Sequence, residues 1–155
     1  MRPETPQETS TSLQFRLLQR EVELMSHFTV GIIEELEAAE RDGASREDRL
    51  ALVRALISAS LKLSRLLWPF GRRAGDELNI EEAGRLRYAF GYGDDHPLSP
   101  ASSLPLAAAL ALRNDELMSI IDWERRTVRV EGGERPLLSL SIAIRDVYER
   151  TRRRG

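Results

Sequence analysis

The feature that most constrains the fold is an apolar stripe between residues 12 and 40. Apolar side chains recur there at alternating steps of four and three residues, with Thr29 as the only polar member. This average period of 3.5 residues is typical of one long helix in a bundle or coiled-coil seam. At a rise of 1.5 Å per residue the helix is about 40 Å long, so we expect the other segments to pack against it. The members of this core stripe are Leu18, Val22, Met25, Thr29, Ile32, Leu36 and Ala39.

Further apolar residues on the same segment widen the stripe. A helix that is apolar on more than one side normally contacts more than one neighbour. We therefore expect one neighbour from the same chain, and we interpret the rest as a homodimer contact with a second copy. The widening residues are Leu17, Leu24, Phe28 and Ile33.

Length and composition indicate a single helical domain at residues 12–152. Residues 1–11 contain two prolines and are otherwise mostly polar, which is typical of a disordered lead-in, and residues 153–155 form a short basic tail. The absence of cysteine excludes disulfides, thiolate zinc sites and a cysteine nucleophile. The formal net charge of −2 gives no general attraction to nucleic acid or to a membrane.

The N-terminus is polar, and the sequence has no apolar run of 18 residues. We therefore expect no membrane span and no signal peptide, which makes the cytoplasm the default location.

Capping signals predict that the first two helices form an antiparallel hairpin. Gly43 can adopt the left-handed conformation that ends the first helix, and Ser45 is a good N-cap for a second helix over residues 46–67. Pro69 then stops this helix. The short connection between the two helices places them side by side.

The remaining chain predicts three more helices and one small sheet element. We expect a third helix at 81–90, a fourth at 104–118 capped by Ser103, and a last helix, capped by Ser139 or Ser141, that ends near residue 152. Alternating residues and the Glu131-Gly132-Gly133-Glu134 turn predict a β-hairpin at about 120–138. The fold class is thus mainly α, a four- to five-helix up-down bundle with a small C-terminal β-hairpin.

Two loops resemble ligand sites only superficially. The adjacent residues Asp94, Asp95 and His96 carry metal-binding groups, but three neighbours rarely converge on one ion, and a solvated turn explains them better. The glycine-rich basic loop at 71–75 follows a helix, whereas a phosphate-binding loop follows a strand. We therefore expect no metal and no cofactor.

Arginines near the C-terminus are candidate phosphate contacts. Arg150, Arg152 and Arg153 lie at the predicted end of the last helix, where they could bind RNA. The alternative is that their positive charge only interacts favourably with the helix dipole.

A charged run interrupts the apolar fourth helix at Arg113-Asn114-Asp115-Glu116. Arg113 and Asn114 are therefore candidate binding residues. The alternative is structural: Arg113 pairs with an acid on a neighbouring helix and holds the bundle in register.

A set of short stretches, spread over most of residues 13–150, forms a pattern together with the long first helix. They are SRLLWP at 64–69, RLR at 85–87 with Gly91, DDHPL at 94–98, LRND at 112–115, IDWE at 121–124, VRV at 128–130 and GE at 133–134. Taken together they resemble the HEPN superfamily, and specifically an uncharacterised bacterial branch of small helical proteins. The small strand pair and the closing helix also resemble that branch.

The resemblance implies a helical bundle that is often dimeric and, in many members, a metal-independent ribonuclease or toxin component. The family motif is an arginine, a polar residue, a few variable residues and a histidine. Arg113 and Asn114 match its first part, whereas the positions for the histidine hold Met118, Ser119 and Ile120. Arginine stays protonated and cannot replace histidine as a neutral base, so the motif is degenerate.

Three functional hypotheses follow from these observations. The first is a catalytically inactive HEPN-like protein that acts by self-association and by binding RNA or a protein partner. The second is a metal-independent ribonuclease of toxin type that uses Arg113. The third is a purely structural or interaction domain.

Overall fold

Two long helices joined by a tight turn form the centre of the fold. The computed structural model describes residues 6–69 and 77–154, in which α1 (Pro6–Arg41) is followed by α2 (Arg46–Leu67). Gly43 has a φ of 67°, and the Ser45 side chain accepts a hydrogen bond from the Asp48 amide at 3.2 Å. The predicted turn and N-cap are both confirmed.

The start of α1 differs from the prediction. The helix begins at Pro6 rather than at residue 12, so residues 6–11, which we assigned to the lead-in, continue the helix. Residues 1–5 lie outside the described part of the chain, and so does the glycine-rich basic loop at 71–75.

The core stripe of α1 packs into the hydrophobic core. Leu18, Val22, Ile32 and Leu36 are buried, which confirms the predicted seam. Thr29 is also fully buried, and its hydroxyl donates to the Met25 carbonyl one turn earlier at 2.7 Å. This bond satisfies the polar group, which explains how a threonine is accommodated within the seam.

Two further helices pack on α1. They are α3 (Glu77–Phe90), which begins four residues earlier than predicted, and α6 (Leu137–Arg154). The Gln19 side chain donates to the Thr151 carbonyl near the N-terminal half of α1, whereas Arg145 pairs with Glu37 near its C-terminal end. These two contacts show that α6 runs antiparallel to α1.

The predicted single fourth helix at 104–118 is wrong. The chain instead forms α4 (Pro100–Ser103), a 3₁₀ helix (Leu104–Ala111) and α5 (Asn114–Ile120). Pro105 explains the first break, because a proline this far inside an α-helix clashes with the carbonyl four residues earlier. Ser103 occupies the N-cap position of the 3₁₀ helix, as predicted, but its side chain makes no capping bond. Its buried hydroxyl donates instead to the Ser99 carbonyl at 2.9 Å.

The predicted hairpin is confirmed as part of a three-stranded antiparallel sheet. Its strands are β1 (Ile121–Asp122), β2 (Thr127–Val130) and β3 (Gly133–Pro136), in that order. Gly132 and Gly133 both have positive φ angles in the turn between β2 and β3, as that turn requires.

The last helix begins earlier than predicted, and its cap was assigned wrongly. Because α6 starts at Leu137, directly after β3, Ser139 and Ser141 both lie inside it. The Ser141 hydroxyl donates back to the Leu137 carbonyl at 3.0 Å, which is a bond within the helix rather than an N-cap.

Candidate interaction surfaces

Arg113 lies at the N-cap of α5 and points away from the core. Its side chain is 78% exposed. The guanidinium Nε lies 3.1 Å from Glu116 Oε1 and 3.5 Å from Asp115 Oδ1. Two carboxylates on its own helix thus offset its charge, and both would compete with a phosphate for it.

Asn114 is held by an arginine that the sequence analysis did not single out. Arg54, on α2, donates to Asn114 Oδ1 from Nε at 3.2 Å and from Nη2 at 3.1 Å. It also donates to the carbonyls of Leu110 and Leu112 at 3.2 and 2.6 Å. Arg54 therefore fixes the end of the 3₁₀ helix and the start of α5 to α2. A mid-helix arginine gives no sequence signal for partners about sixty residues away.

Neither histidine lies at this site. His96 packs against Trp68, with ring centroids 5.7 Å apart. Trp68 follows the end of α2 and lies fourteen positions after Arg54, a distance of about 21 Å along the axis. His27 lies on α1 beside Tyr148 of α6, at 5.0 Å between ring centroids. The arginine of the degenerate motif therefore has no histidine beside it within one chain.

Arg150, Arg152 and Arg153, near the end of α6, are each paired with a carboxylate. Arg150 donates to Asp146 at 3.0 Å and to the Phe90 carbonyl at 2.9 Å. Arg152 and Arg153 both lie near Glu149, at 3.0 and 3.9 Å. These three candidate binding residues share one end of α6 but form an alternating charge pattern rather than a free basic patch.

The loop after α3 forms a polar aromatic cluster with the end of α2 and with α6. The rings of Tyr92 and His96 lie 4.4 Å apart, and the Tyr92 hydroxyl donates to Asp146 at 3.0 Å. His96 Nδ1 accepts a hydrogen bond from the Leu98 amide at 3.1 Å, which holds the loop in a turn. Arg87 lies over the Trp68 ring at 5.1 Å. The sequence marked His96 as a turn residue but gave no sign of Asp146 as its neighbour.

Burial dominates the electrostatics of this cluster. It lowers the pKa of His96 below its usual 6.5, although Asp146 and Asp95 act in the opposite direction. Burial also raises the pKa of Tyr92, and the charge and hydrogen bond of Asp146 add to this effect. His96 is therefore neutral at pH 7, as its role as an acceptor for the Leu98 amide requires.

The side of α1 opposite its core carries a second, exposed apolar stripe. Leu17 and Leu24 are each 52% exposed, and Phe28 is 62% exposed. Ile33, which we grouped with them, is instead buried in the core of the chain, so that part of the prediction is wrong. The three exposed residues are spaced by seven and then four positions, so they share one helix face. With Leu13, which is also exposed, they define the outer stripe: Leu13, Leu17, Leu24 and Phe28.

Gly31 continues the outer stripe towards the C-terminal end of α1. A Cβ atom added at Gly31 would meet no atom within 4 Å, so nothing in the described chain requires a glycine there. A glycine inside a helix costs about 0.5–1 kcal/mol relative to alanine. An isolated glycine in a strong helical pattern often has a packing reason, so Gly31 was itself a signal in the sequence.

The described part of the chain contains neither a group of metal-binding side chains nor a membrane-spanning helix. Among residues 13–69 and 80–153, no three His, Asp or Glu side chains converge as they would around a metal ion, and this includes Asp94, Asp95 and His96. No helix in residues 6–69 and 77–154 combines the length and apolar character needed to cross a membrane.

Comparisons with protein-family models, with curated proteins and with solved structures find no significant match to this chain. The HEPN-like assignment therefore rests on the sequence stretches quoted above.

Proposed function

We propose that this protein acts by binding rather than by catalysis, as a HEPN-like helical protein that self-associates and docks to a protein partner. The observation that carries this proposal is the outer stripe of α1. Single exposed apolar residues are common on protein surfaces, whereas several of them aligned on one helix face are typical of protein interaction sites. A cytoplasmic location is part of the proposal.

The surroundings of Arg113 favour binding over ribonuclease activity. General acid–base cleavage of RNA needs a group that exchanges protons near neutral pH, and a neutral histidine is the usual one. Arg113 instead has Asp115 and Glu116 as neighbours, and Asn114 is occupied by Arg54. The carboxylates paired with Arg150, Arg152 and Arg153 favour a protein partner over RNA in the same way.

The proposal is tested by incubating the purified protein with total RNA, with and without a chelator. We expect neither cleavage nor retardation of the RNA at physiological salt. Chelator-insensitive cleavage that disappears in Arg113→Ala would overturn the proposal in favour of a ribonuclease. Retardation that is lost when Arg150 and Arg153 are both replaced by glutamine would identify RNA as the partner instead.

A further inference from the structure

We infer that the outer stripe of α1 is covered by a second copy of this chain, with the two α1 helices antiparallel across a twofold axis near Leu24. This inference rests on the proposed function, since it names the surface through which self-association occurs. In this arrangement Leu24 meets Leu24 of the second copy, and Leu17 lies level with Gly31 of the second copy.

Gly31 is the first observation that points to a close neighbour outside the chain. It lies in line with the outer stripe, and its missing side chain faces open space. Small residues at helix interfaces allow the backbones to approach closely, which offsets the cost of a glycine within a helix. The antiparallel pairing gives Gly31 such a role, because Leu17 of the second copy then packs over it.

Charge along the edge of the stripe selects the antiparallel orientation. At roughly 100° per residue, Arg16, Arg20 and Glu34 lie on the same side of the outer stripe. All three side chains are exposed, although Arg20 also contacts Glu23 at 2.9 Å. An antiparallel twofold pair brings the basic end of this edge beside the acidic end of the same edge in the second copy. A parallel twofold pair would instead place this edge against the other edge of the second copy, so these opposite charges would not meet. Such pairs contribute little affinity, but they determine which orientation forms.

Cysteine cross-linking tests the geometry directly, because the natural chain has no cysteine. A disulfide needs Cα atoms about 4.4–6.8 Å apart. In the antiparallel pair, Leu24→Cys meets its own copy and forms a covalent dimer on mild oxidation. Leu17→Cys does not, because the two copies of position 17 lie about 21 Å apart along the axis. Leu17→Cys mixed with Gly31→Cys forms a covalent heterodimer.

Two outcomes would overturn the geometry while leaving the proposed binding function intact. Equal cross-linking by Leu17→Cys and Leu24→Cys would show a parallel pair. A concentration-dependent dimer in which none of these positions cross-links would show that another face is used. RNA cleavage, by contrast, would overturn the function itself.

A charge reversal gives an independent test that introduces no cysteine. Arg16→Glu and Glu34→Arg each place like charges opposite one another in the antiparallel pair, so each weakens dimerisation by about threefold to tenfold. The double variant restores opposite charges and recovers the wild-type affinity. If the single variants dimerise as well as the wild type, the antiparallel arrangement is wrong. Ile142→Ser, at a 59% exposed residue on α6, is the control and leaves dimerisation unchanged.

Discussion

The side chain of Arg54 fixes the position of residues 110–114 on α2, which the local sequence of that segment would not do by itself. The end of the 3₁₀ helix and the first residue of α5 present oxygen atoms at Leu110, Leu112 and Asn114, and Arg54 donates to all three. A planar guanidinium with five donors suits this task better than a lysine ammonium, which is a compact point charge.

Arg54 and Arg113 are therefore expected to contribute very differently to stability. Arg54→Met removes charge-assisted hydrogen bonds to partly buried oxygens, so the free energy of unfolding falls by about 2 kcal/mol. Arg113→Met removes only exposed ion pairs and changes it by less than about 0.5 kcal/mol. Urea denaturation of both variants checks the prediction. A larger loss for Arg113→Met than for Arg54→Met would contradict the structural role assigned to Arg54.

Thr29 predicts a second contrast between two substitutions at one buried position. Because the side chain is fully buried, Thr29→Leu adds volume inside the core and lowers the free energy of unfolding by about 1–3 kcal/mol. Thr29→Val keeps the shape and removes only the bond to the Met25 carbonyl, so it costs about 1 kcal/mol or less. Thermal denaturation of the two variants distinguishes them. Stabilisation by Thr29→Leu would mean that the site contains unfilled space.

His96 predicts a loss of stability in mild acid. Since burial lowers its pKa in the folded chain, the unfolded chain takes up the proton first as the pH falls. Stability that is complete above the usual pKa of 6.5 is therefore lost as the pH falls through that value towards the lowered one. His96→Asn keeps an acceptor for the Leu98 amide but does not titrate. We expect its free energy of unfolding to fall less than that of the wild type between about pH 7 and pH 5. Equal pH dependence in both proteins would contradict this role.

At the scale of elements, α1 combines two apolar faces with different roles. The core stripe was predictable because its apolar residues recur with the period of a helix from residue 18 to residue 39. The outer stripe was visible only as a widening of the first, because a sequence does not show which apolar residues the fold leaves exposed. Its exposure is a property of the fold, in which Leu17, Leu24 and Phe28 lie on the solvent side.

Gly31→Ala predicts that stability and association change in opposite directions. In the monomer the new methyl group meets nothing, and the higher helix propensity of alanine raises the free energy of unfolding by about 0.5–1 kcal/mol. In the dimer the methyl group lies where Leu17 of the second copy packs, so association weakens. Urea denaturation at low protein concentration measures the first effect, and sedimentation equilibrium measures the second.

Gly84→Ala is the matched control for this substitution. Gly84 lies in α3, away from the outer stripe, and a Cβ there comes only within 4.0 Å of Arg87 Nη2. We expect the same gain in stability with no change in association. If Gly31→Ala strengthens association, Gly31 does not lie at a close helix contact.

The break at 104–113 shows where local signals in the sequence were insufficient. Pro105 was interpreted as a first-turn proline of a long α-helix, but α4 begins at Pro100 and ends at Ser103, and Pro105 lies in the first turn of a 3₁₀ helix instead. Ser103, between α4 and the 3₁₀ helix, is buried against α2, where its hydroxyl lies 3.2 Å from that of Ser64. Such a tertiary contact cannot be inferred from the local sequence.

At the scale of the whole molecule, the sequence determined the helical class, the first hairpin and the C-terminal sheet, because each depends on local periodicity or turn residues. The candidate surfaces depend instead on contacts between distant segments, such as Arg54 with Asn114 and Tyr92 with Asp146. The result is a bundle in which the candidate arginines Arg113, Arg150, Arg152 and Arg153 pair with carboxylates of the same chain. Among the described residues, α1 also presents an exposed apolar face. We therefore expect its activity to reside in association.

Sedimentation equilibrium of the wild type and of Leu24→Gln tests this account most directly. We expect the mass of the wild type to rise from 17.6 kDa towards twice that value as its concentration increases through the micromolar range. Leu24→Gln, which keeps the helix but places an amide at the centre of the outer stripe, should remain a monomer under the same conditions. A wild type that stays at 17.6 kDa throughout, or a Leu24→Gln variant that associates equally well, would contradict the account.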